Sequence, residues 1–470
     1  MNKELFIGRR YELDFLQSKY QDNAAQLIVV YGRRRIGKTE MLNHFAADKP
    51  HVFYTCIECP DSEQLQLFSQ RLLKNNPLQK FIDTFRDWAT AFESIDGDNS
   101  VKKLVIIDEF QYMAYGNKAI PSLLQKLWDE TLRHRNIMLI LCGSAMSFIE
   151  KDLLASKNPL YGRTTGILCI NEFKFDEARQ FLPGYNSVDA VSAYSILGGV
   201  PHYLKQFSPA EDLATNIERA ILSRGSILYS ETEFLLKQEL RQTSLYNAII
   251  QAVAAGKTRL NEIHQFTQLD RATASVYLKN LCELNILRRE LPVSAPNSDL
   301  ANVQRGLYRL SDNYFRFWYK FVFPNLSDLE SNNAAFVWEN DIKIHLNEFI
   351  SETYEKICID YLRKQNLSGA LPFRFKKIGR WWDKNTEIDI VATGGKNCCI
   401  VGECKWRNEK IPLAVFNALE TKTLALKSQI QGYYLFSKSG FTQSLTALAA
   451  ERAEIHLVGL AELDADGCRN

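Results

Sequence analysis

Leu27-Ile-Val-Val-Tyr31 runs into Gly32-Arg33-Arg34-Arg35-Ile36-Gly37-Lys38-Thr39, and that into Glu40-Met-Leu-Asn-His-Phe-Ala-Ala47. The first run is apolar and β-branched, which predicts a buried strand over 27–31. The last predicts a helix over 38–47. Residues 32–39 satisfy G-x-x-x-x-G-K-[ST] in full, in the strand–loop–helix setting the motif requires. Glycines let backbone amides curl around phosphate oxygens, and the helix aims its first N–H groups at the anion. Residues 32 to 39 are therefore expected to cradle a nucleotide. Lys38 would contact its β- and γ-phosphates and Thr39 would ligate Mg²⁺.

Working outward, further strands are predicted at Val52–Tyr54, Leu104–Ile107, Ile137–Cys142 and Gly166–Ile170, with helices at Ser62–Leu73 and Ile120–Arg133. Alternating strand and helix implies a parallel sheet covered on both faces. Leu104-Val-Ile-Ile-Asp108-Glu109 delivers two carboxylates at a strand's C-terminal end, where open α/β sheets bind ligands. Asp108 is expected to hold Mg²⁺, and Glu109 to orient or deprotonate water. An adjacent acidic pair suits an ATPase better than a kinase or GTPase. Ser144 ends the next strand and suits either a γ-phosphate contact or a helix cap. Three softer positions are Arg9 in Phe6-Ile-Gly-Arg-Arg10, Arg163 in Tyr161-Gly-Arg163, and Pro201 in Gly198-Gly-Val-Pro201. Arg9 and Pro201 suit nucleotide contacts and Arg163 a phosphate contact within or between chains. A lead-in segment, a salt bridge and a helix corner fit them equally.

The chain has 470 residues, 46% hydrophobic and 24% charged, which is ordinary globular usage and excludes disorder or coiled coil as the main state. Net charge +2 argues against a uniformly basic nucleic-acid coat. Ten cysteines without a secretion signal fit free thiols in a reducing cytoplasm. No apolar run is long enough for a bilayer. Cys56-x-x-Cys59 lacks a second pair at zinc spacing.

GRRRIGKT (32–39), LVIIDEFQ (104–111), LCGS (141–144), YGR (161–163) and GGVPHYL (198–204) together resemble the archaeal-type ATPase family. These are AAA-like P-loop proteins among the signal-transduction ATPases with numerous domains. The resemblance implies an α/β multidomain fold: a P-loop parallel-sheet ATPase domain with a helical lid, a winged-helix domain and a C-terminal restriction-endonuclease-like α/β domain. The corresponding spans are 1–171, 172–239, 240–311, an aromatic linker at 312–350, and 351–470.

Residues 240–311 carry three helical periods and two short strands, with nine basic and five acidic residues. Arg271, Thr273, Ser275 and Lys279 on the third helix suit a DNA major groove; a lid or packing role fits as well. Farther on, Thr386–Thr393 and Cys398–Lys405 read as a hairpin around Gly394–Asn397. Asp389 then falls opposite Glu403 or one position off, and Glu403 and Lys405 share a face. Two carboxylates and a lysine suit divalent-metal phosphodiester hydrolysis. They resemble the D…ExK core of PD-(D/E)xK nucleases, with Ile388 where that signature has proline. The resemblance implies metal binding at Asp389 and Glu403, Lys405 on water or charge, and Glu355 as an added helix carboxylate. The expected partners are ATP, double-stranded DNA through the winged helix, and a protein of unspecified kind; an oligomer is compatible with all of these.

Overall fold

The computed structural model describes residues 6–74, 76–95, 101–144, 149, 153, 158–240, 243–296, 306–395 and 397–465. Residues 297–302 between the two short strands expected in 240–311, and also Arg305, Lys396 and Cys468, lie outside the described residues. The chain packs as two compact units: Met1–Glu172 with Val200–His202, and Phe173–Gly199 with Tyr203–Asn470.

The first unit is built on β1 (Gln26–Tyr31), β2 (His51–Thr55), β3 (Lys103–Asp108), β4 (Ile137–Gly143) and β5 (Gly166–Cys169), ordered β2-β3-β4-β1-β5. Every pairing is parallel. Parallel strands need crossovers, and helices Lys38–Ala46, Asp61–Leu73 and Ile120–Glu130 lie between the strands. One sheet face buries Leu27, Val29, Val105, Ile107, Leu139 and Leu141 with Phe68, Phe92 and Phe110. The alternate residues Ile28, Val30, Leu104, Ile106, Met138 and Ile140 are buried too. This is why these strands read as continuous apolar runs rather than alternating ones. The expected Ile120–Arg133 helix stops at Glu130, where the Thr131 hydroxyl bonds the Leu127 carbonyl and the chain tightens into a 3₁₀ turn, Leu132–His134.

In the second unit, helices Thr243–Ala254, Leu260–Thr267 and Arg271–Glu283 precede β6 (Leu287–Glu290) and β7 (Leu307–Leu310), an antiparallel pair. The start of the third helix is set by Asp270, whose carboxylate accepts from the Thr273 N–H. The aromatic run is core: Tyr314, Phe315, Phe317, Trp318, Tyr319 and Phe321 are all buried. The long helix Leu346–Ser368 then leads to β8 (Lys377–Trp382), β9 (Glu387–Thr393), β10 (Cys398–Lys405), β11 (Gln429–Ser437) and β12 (Ile455–Val458). Their order is β12-β11-β10-β9-β8. β8, β9 and β10 are antiparallel, whereas β11 joins in parallel after the crossover helix Leu413–Thr423 and β12 after the helix Gln443–Glu451.

Candidate functional site

Strand order assembles the first site. β4 lies between β1 and β3, so the loop after β1 and the carboxylates ending β3 flank one strand end. The loop is tight. A Cβ on Gly32 would stand 2.4 Å from the Ile170 carbonyl oxygen, so only glycine fits there. Gly37 has φ 89°, a conformation other residues adopt at a cost. Lys38 is buried and donates from Nζ to the carbonyls of Gly32 (2.8 Å) and Arg33 (2.9 Å). Burial lowers its affinity for its proton, against the pull of Cys142, Glu109 and Asp108. Thr39 donates from Oγ1 to Asp108 Oδ2 at 2.7 Å.

Glu109 sits at φ 52° and ψ 42°, a left-handed conformation uncommon outside glycine, where β3 turns into the helix Phe110–Gly116. Its Oε2 accepts from the Ser144 hydroxyl at 2.6 Å and from the Gln111 side-chain amide. Gln111 also donates to Ser144 Oγ at 3.4 Å, closing a three-residue network across β3 and β4. Behind it Cys142 is fully buried beside Asp108; burial, then that carboxylate, push its thiol well above the ordinary range.

The softer positions separate. Arg9 forms a brace: it is 4% exposed and donates to the carbonyls of Asn171 (2.7 Å) and Ile36 (2.9 Å). It therefore holds the phosphate loop from behind. Arg163 pairs with Asp129 at 3.0 Å. Arg34 donates to the Tyr112 hydroxyl at 3.1 Å. Pro201 stands at the loop, its Cγ 3.7 Å from where a Cβ on Gly37 would lie.

The second site is at the ends of β9 and β10. Ile390 pairs with Gly402, which sets Asp389 level with Glu403. Asp389 Oδ2 accepts from the Cys404 N–H at 2.9 Å. Lys405 Nζ reaches Glu403 Oε1 at 2.7 Å, and Lys422 from the Leu413–Thr423 helix reaches Glu403 Oε2 at 3.1 Å. Glu355 projects from the long helix toward Asp389 and meets Arg380 Nε at 3.5 Å. Burial, then the Asp389 charge, raise the Glu355 carboxyl, while Arg380 opposes. Asp389 is raised by burial and by Glu403. For Lys405, burial works downward, but Glu403 outweighs it and the ammonium is held more firmly than usual.

The profile of a family described as an ATPase domain predominantly from Archaea matches residues 6–207. An uncharacterized protein of Methanocaldococcus jannaschii is 32% identical over 408 residues, 86% of this chain and 88% of that one. This chain belongs to the archaeal-type ATPase family. A second profile, described as archaeal and bacterial proteins of unknown function, matches residues 318–420. An ATP-binding protein of the same archaeon is 47% identical over 45 residues, 10% of this chain and 76% of its own length. The Walker-type ATPase of Pyrococcus abyssi is similar in fold, with TM-score 0.50 and 20% identity, over 67% of this chain and 96% of that one.

In this archaeal-type ATPase, Lys38, Thr39, Asp108, Glu109 and Ser144 come together, as do Asp389, Glu403 and Lys405. Gln111, Lys422 and Arg380 were not expected from sequence. Gln111 is an ordinary helix residue until β3 and β4 are neighbours, and Lys422 is 17 residues beyond Lys405 on an amphipathic helix. The Thr39 hydroxyl and Asp108 carboxylate form a hard-oxygen pair that fits Mg²⁺. The second site is different: its carboxylates are engaged by Arg380, Lys405, Lys422 and the Cys404 N–H. Among the described residues, no group of three or more His, Cys, Asp and Glu is arranged to hold a metal ion. Cys59 donates to Gln64 Oε1 at 3.2 Å. No helix among the described residues is long and apolar enough to cross a membrane.

Proposed function

We propose that the protein binds and hydrolyses Mg-ATP at the first site, and that nucleotide state governs a winged-helix and nuclease-like region acting on DNA in the cytoplasm. The 2.7 Å contact between Thr39 and Asp108, beside buried Lys38, carries the reading. Lys38 supplies a positive charge to β- and γ-phosphate oxygens, and the amides of residues 32–39 surround them. Mg²⁺ held by Thr39 and Asp108 would offset phosphate charge. Glu109, aimed by Ser144 and Gln111, takes a proton from water attacking the γ-phosphate. Isothermal titration with ATP tests this: Lys38→Ala must lose binding, and retained affinity removes the assignment.

For the second unit, the α-β-β-β-α-β order from Leu346 to Ser437 and the placement of Glu355, Asp389, Glu403 and Lys405 support a nuclease-like module. The three helices with β6 and β7 have the element order of a winged helix, whose third helix would contact duplex DNA. One observation favours a second reading, an ATP-gated scaffold that binds DNA or protein without cutting. Two lysines already occupy both oxygens of Glu403. Incubating the protein with DNA and Mg²⁺ or Mn²⁺ separates the two. Cleavage lost in Asp389→Ala and Glu403→Ala supports the nuclease, whereas cleavage that survives both or never appears supports the scaffold.

A further inference from the structure

Two clefts lie on either side of the segment 291–296, which follows β6. The larger, about 860 Å³, is lined by Arg259, Asn261, Arg271, Ser275, Ser294 and Trp382 among others. The smaller, about 450 Å³, includes Arg363, Asn366, Lys376 and Lys377. Five lining residues are cationic and none of the described lining residues is acidic, in a chain whose total charge is only +2. The segment between the clefts is fixed to the edge strand of the second sheet: the Val293 N–H donates to the Arg380 carbonyl at 2.9 Å. The Ala295 N–H, next in line for that pairing, donates back to the Pro292 carbonyl at 2.8 Å, so the segment turns beside β8 without becoming a sixth strand. Arg271 is steadied at the cleft by donating to Asn261 Oδ1 at 2.7 Å.

We infer that these clefts bind a single strand of nucleic acid and lead it to the carboxylates of the second site. The inference extends the nucleic-acid reading proposed above, and replaces a duplex by a single strand at this surface. Its chemistry is that of single-strand recognition: cations along a groove for the backbone and an aromatic face for a base. Trp382 is half-buried and lines the larger cleft, with Arg259 and Arg271 on its wall. The volume suits a few nucleotide units. It is too small for a double helix, whose major groove alone is about 12 Å wide. The route onward is short. Trp382 pairs with Glu387 across the β8–β9 ladder, and Asp389 is two residues farther along β9, about 7 Å away. Glu387 does not repel the strand as a bare charge, because Arg380 is bonded to it.

Fluorescence anisotropy of the full chain with labelled oligo(dT), oligo(U) and a blunt duplex tests this without any cleavage. Either single strand should bind at least about 10-fold more tightly than the duplex. Trp382→Ala should weaken it about 10-fold or more, Trp382→Phe should largely restore it, and Arg259→Glu with Arg271→Glu should abolish it. Arg259 and Arg271 are exposed and Trp382 is half-buried, so the melting temperature of each variant is compared with wild type, and an unchanged value certifies the fold. Duplex binding as tight as single-strand binding, sensitive to Lys279→Glu and not to Trp382→Ala, overturns the cleft and leaves the winged-helix reading standing. Binding of no nucleic acid at all removes both.

Discussion

The Thr39 hydroxyl and the Asp108 carboxylate meet at 2.7 Å, though 69 residues separate them. Parallel order brings them together: β4 pairs with β1 on one side and β3 on the other, so the two segments leave neighbouring strand ends. Thr39→Ala should therefore retain the Mg²⁺-independent part of ATP binding and lose the rest. Titration with and without EDTA reads this, and a full metal response in the variant would contradict it.

Glu109 is turned toward the site by its left-handed backbone and held by Ser144 and Gln111. Glu109→Gln should leave ATP affinity close to wild type and lower hydrolysis by about 10²-fold or more, in the range of general-base loss. Gln111→Ala should alter turnover with little change in affinity. Equal losses in binding and turnover would mean that the network is only structural.

A methyl group at residue 32 would collide with the Ile170 carbonyl, a backbone atom that cannot swing away. Gly32→Ala should destabilise the first unit by about 2 kcal/mol, as overpacking does. Urea denaturation followed with and without ATP measures both stability and lost nucleotide protection. A wild-type midpoint would show that the loop can move.

Glu352 is the centre of a charge cluster within the second unit: Arg316 lies at 3.0 Å, Arg288 at 3.4 Å, Arg309 at 3.5 Å and Lys356 at 3.6 Å. Burial alone would raise this carboxyl; the cations pull it well below the usual range. Glu352→Gln leaves them without their shared anion and should cost about 3 kcal/mol. A thermal melt tests this, and a shift below one degree would mean water compensates the cations.

Asp270 accepts from the backbone and hydroxyl of Thr273, which holds its carboxyl below the usual value. A depressed folded-state value gives stability that is complete above the ordinary carboxylate range near 4 and lost as pH falls through the lowered value. Asp270→Asn keeps the cap but removes this acid sensitivity. Melting curves on the acid side should therefore be flatter for that variant, and identical pH profiles would exclude the linkage.

The phosphate loop, the Asp108-Glu109 strand end and the β9–β10 hairpin were legible in the sequence because each is local. A glycine pattern, an apolar run or a period-two alternation encodes its own geometry within a dozen residues. Arg9 and Arg163 were not decided by sequence, since an arginine's role depends on which carbonyl or carboxylate the fold brings near it. Only tertiary structure set Ile36 and Asn171 against Arg9 and Asp129 against Arg163. The same holds for Gln111 beside Glu109, Lys422 on Glu403 and the Glu352 cluster. The sequence alone determined the elements and the chemistry each carries; strand order and helix docking decided which charges face one another, because those contacts join residues far apart in the chain.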